Sequence, residues 1–431
     1  MATATSLSAP ASTAHTGSFA NPRALSLACL AHFVNDAYSS FIFPLLPLMT
    51  AQLHLSAAQA FWLIPVYALF SNFLQPVYGM LSDRWSRRSF ALAGPLLAAL
   101  FLSAIGYAGS YGWLMVVLIM GGMGVGMFHP QGAAMAAVAS GQRRRLGMAL
   151  FSAAGTLGVA FGPLVVTQTI THFSLGSTLY LALAGIAAIV GLFFWLPPLP
   201  APKRLAAETT TTETGPGLVQ ALQLASVPLL ALYAITVVRA ATQMLINAYY
   251  PFILQAQGAS LTHIGNALTV FLLAGGIGGL AGGFLAERFG GRAVTVLSGL
   301  TSGPLLAVAF LVPPHWTLPW LVCGGFALGA TIPVNVAMAQ ELVPQRTATV
   351  SALMMGFAWG VGSLAPRAFE PLTPFIGGYH GAIIGLALGT TLSTVLVLWL
   401  PREARRPLLR LTWRMPHWFS SPARTDSSLA P

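Results

Sequence analysis

The sequence predicts an all-α polytopic membrane protein in which twelve transmembrane helices form two pseudo-symmetric six-helix bundles. Three observations carry that expectation. Of 431 residues, 56% are hydrophobic and only 7% charged, too little charge to solvate a chain of this size. Apolar runs of roughly 20 residues, the length that crosses a bilayer core, follow one another almost without pause. The stretch Gly79-Met80-Leu81-Ser82-Asp83-Arg84-Trp85-Ser86-Arg87-Arg88 returns 204 residues later as Gly283-Phe284-Leu285-Ala286-Glu287-Arg288-Phe289-Gly290-Gly291-Arg292, with glycine, acid, arginine, aromatic and terminal arginine in register. A charged loop repeated between apolar segments marks two like halves, and many secondary transporters place a substrate site between such halves.

In chain order, residues 1–22 are rich in Ala, Ser and Thr with no apolar core ahead of a cleavage site, and read as a disordered tail rather than a signal peptide. The N-terminal bundle, 23–198, holds six spans near 24–50, 57–81, 89–109, 113–139, 147–171 and 177–196. A linker, 199–226, follows the prolines of Pro197-Pro198-Leu199-Pro200 and carries a Thr-rich run. The C-terminal bundle, 227–400, holds spans near 227–254, 261–286, 293–312, 318–341, 348–372 and 379–400. In the tail, 401–431, Arg402, Arg406, Arg410 and Arg414 recur every four residues among apolar side chains, which suits a helix lying on an anionic membrane; Pro407 interrupts it, which suits plain disorder.

The formal charge of +11 raises the question of nucleic acid, and the placement of the charges answers it. All 20 Lys and Arg fall on one side of the predicted membrane except Arg239 and Arg367, which lie inside spans. That asymmetry is a topology signal: both termini are expected in the cytoplasm, with no nucleic acid as partner and a bacterial inner membrane as the setting. Cys29 and Cys323 lie in different halves, so no disulfide, metal-ligand spacing or cofactor is expected. No nucleophile constellation suggests an enzyme.

The loop after the second span resembles the signature of the major facilitator superfamily, and the resemblance covers residues 24–400. Within that superfamily, His32-Phe33-Val34-Asn35-Asp36 and Phe128-His129-Pro130 resemble the fosmidomycin-resistance branch of efflux proteins. The resemblance implies alternating access, small organic substrates, protons as the coupling ion and a conformational gate at Gly79, Asp83, Arg84 and Arg88 with their copies Gly283, Glu287, Arg288 and Arg292. Physically, Asp83 and Glu287 are expected to accept bonds from a neighbouring helix N-terminus while the arginines pair across the bundle interface. The alternative is that these charges only set topology. The branch carries Glu after His-Pro, whereas this chain has Gln131, with Ala134 and Ala137 where arginines are expected. Either Asp36 carries the coupling alone, or this is a different kind of transporter with the same ancestry.

Ionisable residues at membrane depth are costly, by about 2.5 to 3.5 kcal/mol on insertion scales, and usually face a cavity. Asp36 and Arg239 each lie about twelve residues into the first and seventh spans, and an offset of 203 superposes them. An Asp36–Arg239 pair across the pseudo-twofold axis is expected, either as a proton-coupling switch or as a static ion pair. His32 and Asn35 beside Asp36, and Gln243 and Asn247 four and eight residues after Arg239, form polar stripes in apolar helices. His129 reads as a proton relay or as a hydrogen-bonding packing residue. Gly158 and Gly162-Pro163 resemble the antiport motif of drug-efflux members, with close helix packing as the alternative. Tyr38, Tyr67, Tyr249, Tyr250, Met354, Met355, Phe357 and Trp359 are expected around a cavity, and Arg367 with Glu370, three apart, as a local pair. Together these residues predict a monomeric proton-coupled exporter of small organic or drug-like molecules. The alternatives are an importer or uniporter of an organic anion or metabolite and, from another class, a transport-dead sensor or scaffold.

Overall fold

The structure, a computed structural model, describes residues 19–195, 226–344 and 347–401, and these contain helices, turns and no strand. The expected linker, the expected surface helix of the tail, Arg346 and most of the N-terminal tail lie outside the described residues. Eleven segments are long and apolar enough to cross a membrane: Ala57–Arg84, Arg87–Tyr107, Tyr111–Arg143, Leu146–His172, Leu175–Trp195, Ser226–Ala256, Leu261–Phe289, Gly291–Ala309, Pro314–Leu342, Thr349–Phe375 and Gly378–Trp399. They are the second to twelfth spans. The first is divided at Ser40-Phe41 into two helices, Pro22–Ser39 and Ile42–Gln52. All twelve match the spans read from the sequence to within four residues at either end.

Local chemistry sets the span starts. Asn21 accepts a bond from the Ala24 amide at 3.0 Å with Pro22 in the first turn, and Ser56 and Gln59 close a capping box at the head of the second span. Ser86, Ser110 and Ser260 cap the third, fourth and eighth spans in the same way. Irregularities follow proline or mark functional turns. The tenth span breaks at Ala330-Thr331, between helices Pro314–Gly329 and Ile332–Leu342, just ahead of Pro333. The second and eleventh spans each contain one π-helical stretch, Leu69–Phe73 and Leu353–Phe357. The two stretches pack on each other across the halves, with the Phe73 and Phe357 rings 5.5 Å apart and nearly perpendicular.

The halves meet along the fifth and eighth spans, where Gly265 sits under Thr167 and the Thr269 hydroxyl accepts from the Leu164 amide at 3.1 Å. Further contacts between halves gather at the end away from the arginine loops. There Phe61 of the second span inserts among Tyr249 and Phe252 of the seventh and Tyr379 of the twelfth, with ring centroids 4.7 to 5.8 Å apart. Arg367 lies 5.6 Å from the Trp62 ring centroid and donates to Glu370 Oε2 at 3.2 Å, the local pair expected from their spacing. The Tyr249 hydroxyl, fully buried, donates to the Pro366 carbonyl at 2.6 Å. Tyr249 is thus part of this aromatic closure. Tyr38, also expected at a cavity, instead donates to the Leu181 carbonyl inside its own half at 2.6 Å.

Candidate functional site

The first span carries the site because its inner helix brings His32, Asn35 and Asp36 onto buried positions, each under 8% exposed, one turn apart. Asp36 Oδ2 lies 3.1 Å from His32 Nε2, and Oδ1 lies 3.4 Å from His129 Nε2 of the fourth span. Asn35 Nδ2 donates to Oδ1 at 3.1 Å. Each histidine is held from behind by a main-chain carbonyl: His32 Nδ1 donates to Phe151 O and His129 Nδ1 to Val125 O, both at 2.8 Å. The His32 ring also stacks on Phe151 at 4.0 Å and meets the His129 ring edge-on at 5.2 Å.

The chemistry follows from counting hydrogens. A carbonyl oxygen only accepts, so both Nδ1 atoms carry a proton, and a neutral imidazole has no second one. Each Nε2 then points a lone pair at a carboxylate oxygen unless a proton lies between them. With two protons the cluster is an aspartate between two imidazoliums, net +1. With one proton a single contact is satisfied, and with none both become repulsive and the net charge is −1. The cluster's geometry is therefore tied to its proton content. Two imidazole nitrogens and one carboxylate oxygen within 4.8 Å of one another also form a donor group that sequence spacing did not reveal, since His129 lies on another span. The 3.1 Å contact with His32 is that of a hydrogen-bonded pair, and the 3.4 Å contact with His129 is longer.

The fifth-span glycines make the cluster sterically possible. A Cβ on Gly155 would lie 2.4 Å from His32 Nε2 and 2.8 Å from Asp36 Oδ2. On Gly158 it would lie 2.2 Å from the Phe33 carbonyl oxygen, and on Gly162 2.2 Å from the Ala37 carbonyl oxygen. The stretch ending in Pro163 therefore lets the first span's backbone approach closely, the packing side of the two readings of that motif.

The expected Asp36–Arg239 pair is not formed. Arg239, 6% exposed, turns into its own half: Nη2 donates to Ser298 Oγ of the ninth span and, at 2.9 Å, to the Leu328 carbonyl just before the break in the tenth. That break leaves carbonyls at the negative end of a helix, which a cation stabilises. The pseudo-twofold relates Asp36 to Arg239, but each faces the neighbours within its own bundle, and equivalence is not contact. Asn247 is buried with Oδ1 unpartnered, Gln243 is half-buried, and Gln131 donates to Ser82 Oγ of the second span.

The gate residues also differ from expectation in this conformation. Asp83 accepts from Arg87 Nε at 2.7 Å, one turn on, instead of from a helix N-terminus. Arg88 donates to the Phe193 carbonyl at 2.6 Å, and Arg292 donates to the Leu400 carbonyl. These are matching contacts within each half, joining the start of the third or ninth span to the end of the sixth or twelfth. They satisfy carbonyls that a helix C-terminus leaves free. Arg84, Glu287 and Arg288 are exposed, Arg288 lies 5.2 Å from the Phe289 ring centroid, Gly79 faces Pro130, and Gly283 has no heavy atom within 4 Å of a built Cβ.

The profile of the Major Facilitator Superfamily matches residues 28–235 and again 232–416. The fosmidomycin resistance protein of Escherichia coli (strain K12) is 30% identical over 345 residues, 78% of this chain and 82% of that protein. The 4-hydroxybenzoate transporter PcaK of Pseudomonas putida is 29% identical over 166 residues, 37% of this chain and 36% of that protein. Among solved structures, the nucleoside transporter NupG superposes with a TM-score of 0.67 at 12% identity, covering 87% of this chain and 98% of that one.

Proposed function

This chain belongs to the Major Facilitator Superfamily, and from that premise we propose that it is a proton-coupled exporter of small organic molecules that works by alternating access. The family and fold are those of multi-pass membrane transporters of small molecules. The observation that carries the finer reading is the Asp36 cluster, because its two contacts hold only while protons occupy them. The groups facing Asp36 are His32 and Asn35 on its own span, His129 on the fourth, Tyr67 on the second and the Gly155 backbone on the fifth. Proton loss turns attraction between the first and fourth spans into repulsion, and that change biases the packing of the N-terminal half. The basic loops then face the cytoplasm of a bacterial inner membrane. The closed aromatic end around Phe61 faces outward, and the gate loops act at the cytoplasmic end. The efflux direction draws on the resemblance to the fosmidomycin resistance protein.

The test uses inverted membrane vesicles acidified inside, with fosmidomycin as substrate. Fosmidomycin-dependent proton release in wild type, abolished in Asp36→Asn, supports the reading; release that persists in the variant removes Asp36 from coupling. A second reading, uptake of an organic anion, is favoured by Arg239: it is buried, its Nε has no hydrogen-bond partner, and among the described residues it has no carboxylate within ion-pair distance. Gradient-independent uptake of 4-hydroxybenzoate that Arg239→Gln abolishes would favour that alternative.

A further inference from the structure

Below the Asp36 cluster, the second span carries a row of buried hydroxyls. Tyr67, Ser71, Tyr78 and Ser82 are 7%, 2%, 5% and 1% exposed. The π stretch at Leu69–Phe73 shifts the helix phase between them, and Tyr67, Tyr78 and Ser82 all meet the fourth span: a Cβ on Gly122 would lie 3.2 Å from Tyr67 Cδ2, one on Gly126 2.8 Å from Tyr78 Cε2, and Gln131 donates to Ser82. The Tyr78 hydroxyl has no hydrogen-bond partner, and those of Tyr67 and Ser71 form no well-aligned bond, with Ser39 and Ser71 the polar groups nearest the Tyr67 hydroxyl. At the upper end, the Tyr67 hydroxyl lies within electrostatic range of Asp36 and beside Ser39 and Ser71. In the middle, the fourth span passes close to the main chain at Phe70 and Ser71 and to the Tyr78 ring: a Cβ built on Gly126 would lie 2.6 Å from the Phe70 carbonyl oxygen, 2.8 Å from Tyr78 Cε2 and 3.1 Å from the Ser71 carbonyl oxygen. At the lower end, Ser82 accepts from Gln131 and donates to the Gly79 carbonyl, and the next residue is the exposed Asp83.

The repeat supplies an independent control. At the offset of 204 that aligns the two charged loops, the four hydroxyl positions become Phe271, Gly275, Gly282 and Ala286. The eighth span folds against its neighbours with no hydroxyl at any of them, so helix packing in this fold does not require the row. It occurs only in the half that holds the titratable cluster.

We propose that the face formed by Tyr67, Ser71, Tyr78 and Ser82, with Gln131, is the route by which protons pass between the Asp36 cluster and the end of the protein that carries the arginine loops. A hydroxyl suits this role because it accepts a proton on a lone pair while releasing its own to the next acceptor, leaving no net charge behind. Ordered water spans the wider steps, which are too long for direct contact. Asp83 at the exposed end collects or delivers the proton. The route rests on the proton-coupled reading of Asp36 and adds the path to it.

A measurement that needs no substrate tests it. Purified full-length protein is taken through a pH jump in a stopped-flow instrument with a pH-indicator dye, comparing wild type, Asp36→Asn, Tyr67→Phe, Tyr78→Phe and the double phenylalanine variant. The expected result is a proton release in wild type that Asp36→Asn removes, and that the double variant slows by about tenfold or more at unchanged amplitude, as loss of a relay does. A rate within about twofold of wild type overturns the route. A loss of amplitude together with rate also overturns it, because the hydroxyls would then be supporting the cluster's shape. If wild type shows no release that depends on Asp36, the coupling reading itself fails and the route falls with it.

Discussion

The polar centres of the two halves occupy the same place in the repeat and are built from opposite chemistry. In the N-terminal half, Asp36 reaches the Val125 carbonyl of the fourth span through His129. In the C-terminal half, Arg239, at the position 203 residues on, reaches the Leu328 carbonyl directly, and Leu328 is itself 203 residues after Val125. Pro130 and Pro333 stand at the same offset, but the fourth span runs through Pro130 as one helix, Tyr111–Ser140, whereas the tenth breaks at Ala330-Thr331. Both halves thus bond a main-chain carbonyl at the same position of the repeat. The first uses a carboxylate between two imidazoles and the second a guanidinium. The surroundings differ in the same way: His32, Asn35 and His129 correspond to Ile235, Val238 and Ile332. On the proposed reading, the duplicated scaffold leaves one half able to change charge and keeps the charge of the other.

The largest effect that can break this contrast is expected from Asp36→Asn, which should lower proton-driven fosmidomycin efflux by about a hundredfold or more in vesicles while the protein remains folded. Next is Arg239→Met. It removes the charged donor to the Leu328 carbonyl and to the Ser298 hydroxyl, which keeps its own bond to the Ala327 carbonyl, and should destabilise the protein by about 1 to 3 kcal/mol, read as a lower thermal unfolding midpoint. Its effect on the shape of the pH profile should be nil, and a changed profile would erase the division into titrating and fixed halves. Gly158→Val places in the N-terminal half the residue that the C-terminal half has at the same position, Val361. With Phe33 O 2.2 Å from the first added carbon, the cost should be about 1 to 3 kcal/mol, and a neutral result would show that the first and fifth spans can part without penalty.

His129→Gln sharpens the comparison further. An amide donates to Asp36 at every pH, so the pH dependence of transport should narrow, whereas Arg239→Lys should leave it as in wild type. As pH rises in wild type, the proton between His129 Nε2 and the carboxylate is lost and that contact turns repulsive; the glutamine contact does not. The smallest effect is expected from Arg87→Ala. Its ion pair with Asp83, whose side chain is 47% exposed, should contribute less than about 0.5 kcal/mol to the unfolding midpoint.

The architecture was legible because hydropathy and charge placement are set by the bilayer, not by contacts, and each of the twelve spans could be found from its own residues. The members of the cluster were legible for a similar reason: His32 and Asp36 stand one turn apart, and His129 is ionisable at membrane depth. Their pairing was not. The repeat relates Asp36 to Arg239 by rotation, but whether a side chain faces the axis or its own bundle depends on helix rotation, which Gly155, Gly158 and Gly162 determine by drawing the first span onto the fifth. The arginine loops misled in the same way, because Arg88 and Arg292 find helix-end carbonyls within their own halves. The hydroxyl row was present in the sequence, and comparing Tyr67, Ser71, Tyr78 and Ser82 with their apolar repeat partners is the signal that would have found it.

The π stretch at Leu69–Phe73 fixes the phase of everything after it in the second span. Such a turn holds one residue more than an α-helix uses over the same rise, so it acts as a one-residue insertion. Deleting any single residue between positions 69 and 73 should therefore leave a continuous α-helix with Tyr78, Ser82 and Asp83 facing as they do now relative to Tyr67, whereas straightening the stretch without a deletion would rotate them by about 100°. The stretch thus lets the second span absorb a one-residue length change without re-aiming its lower third.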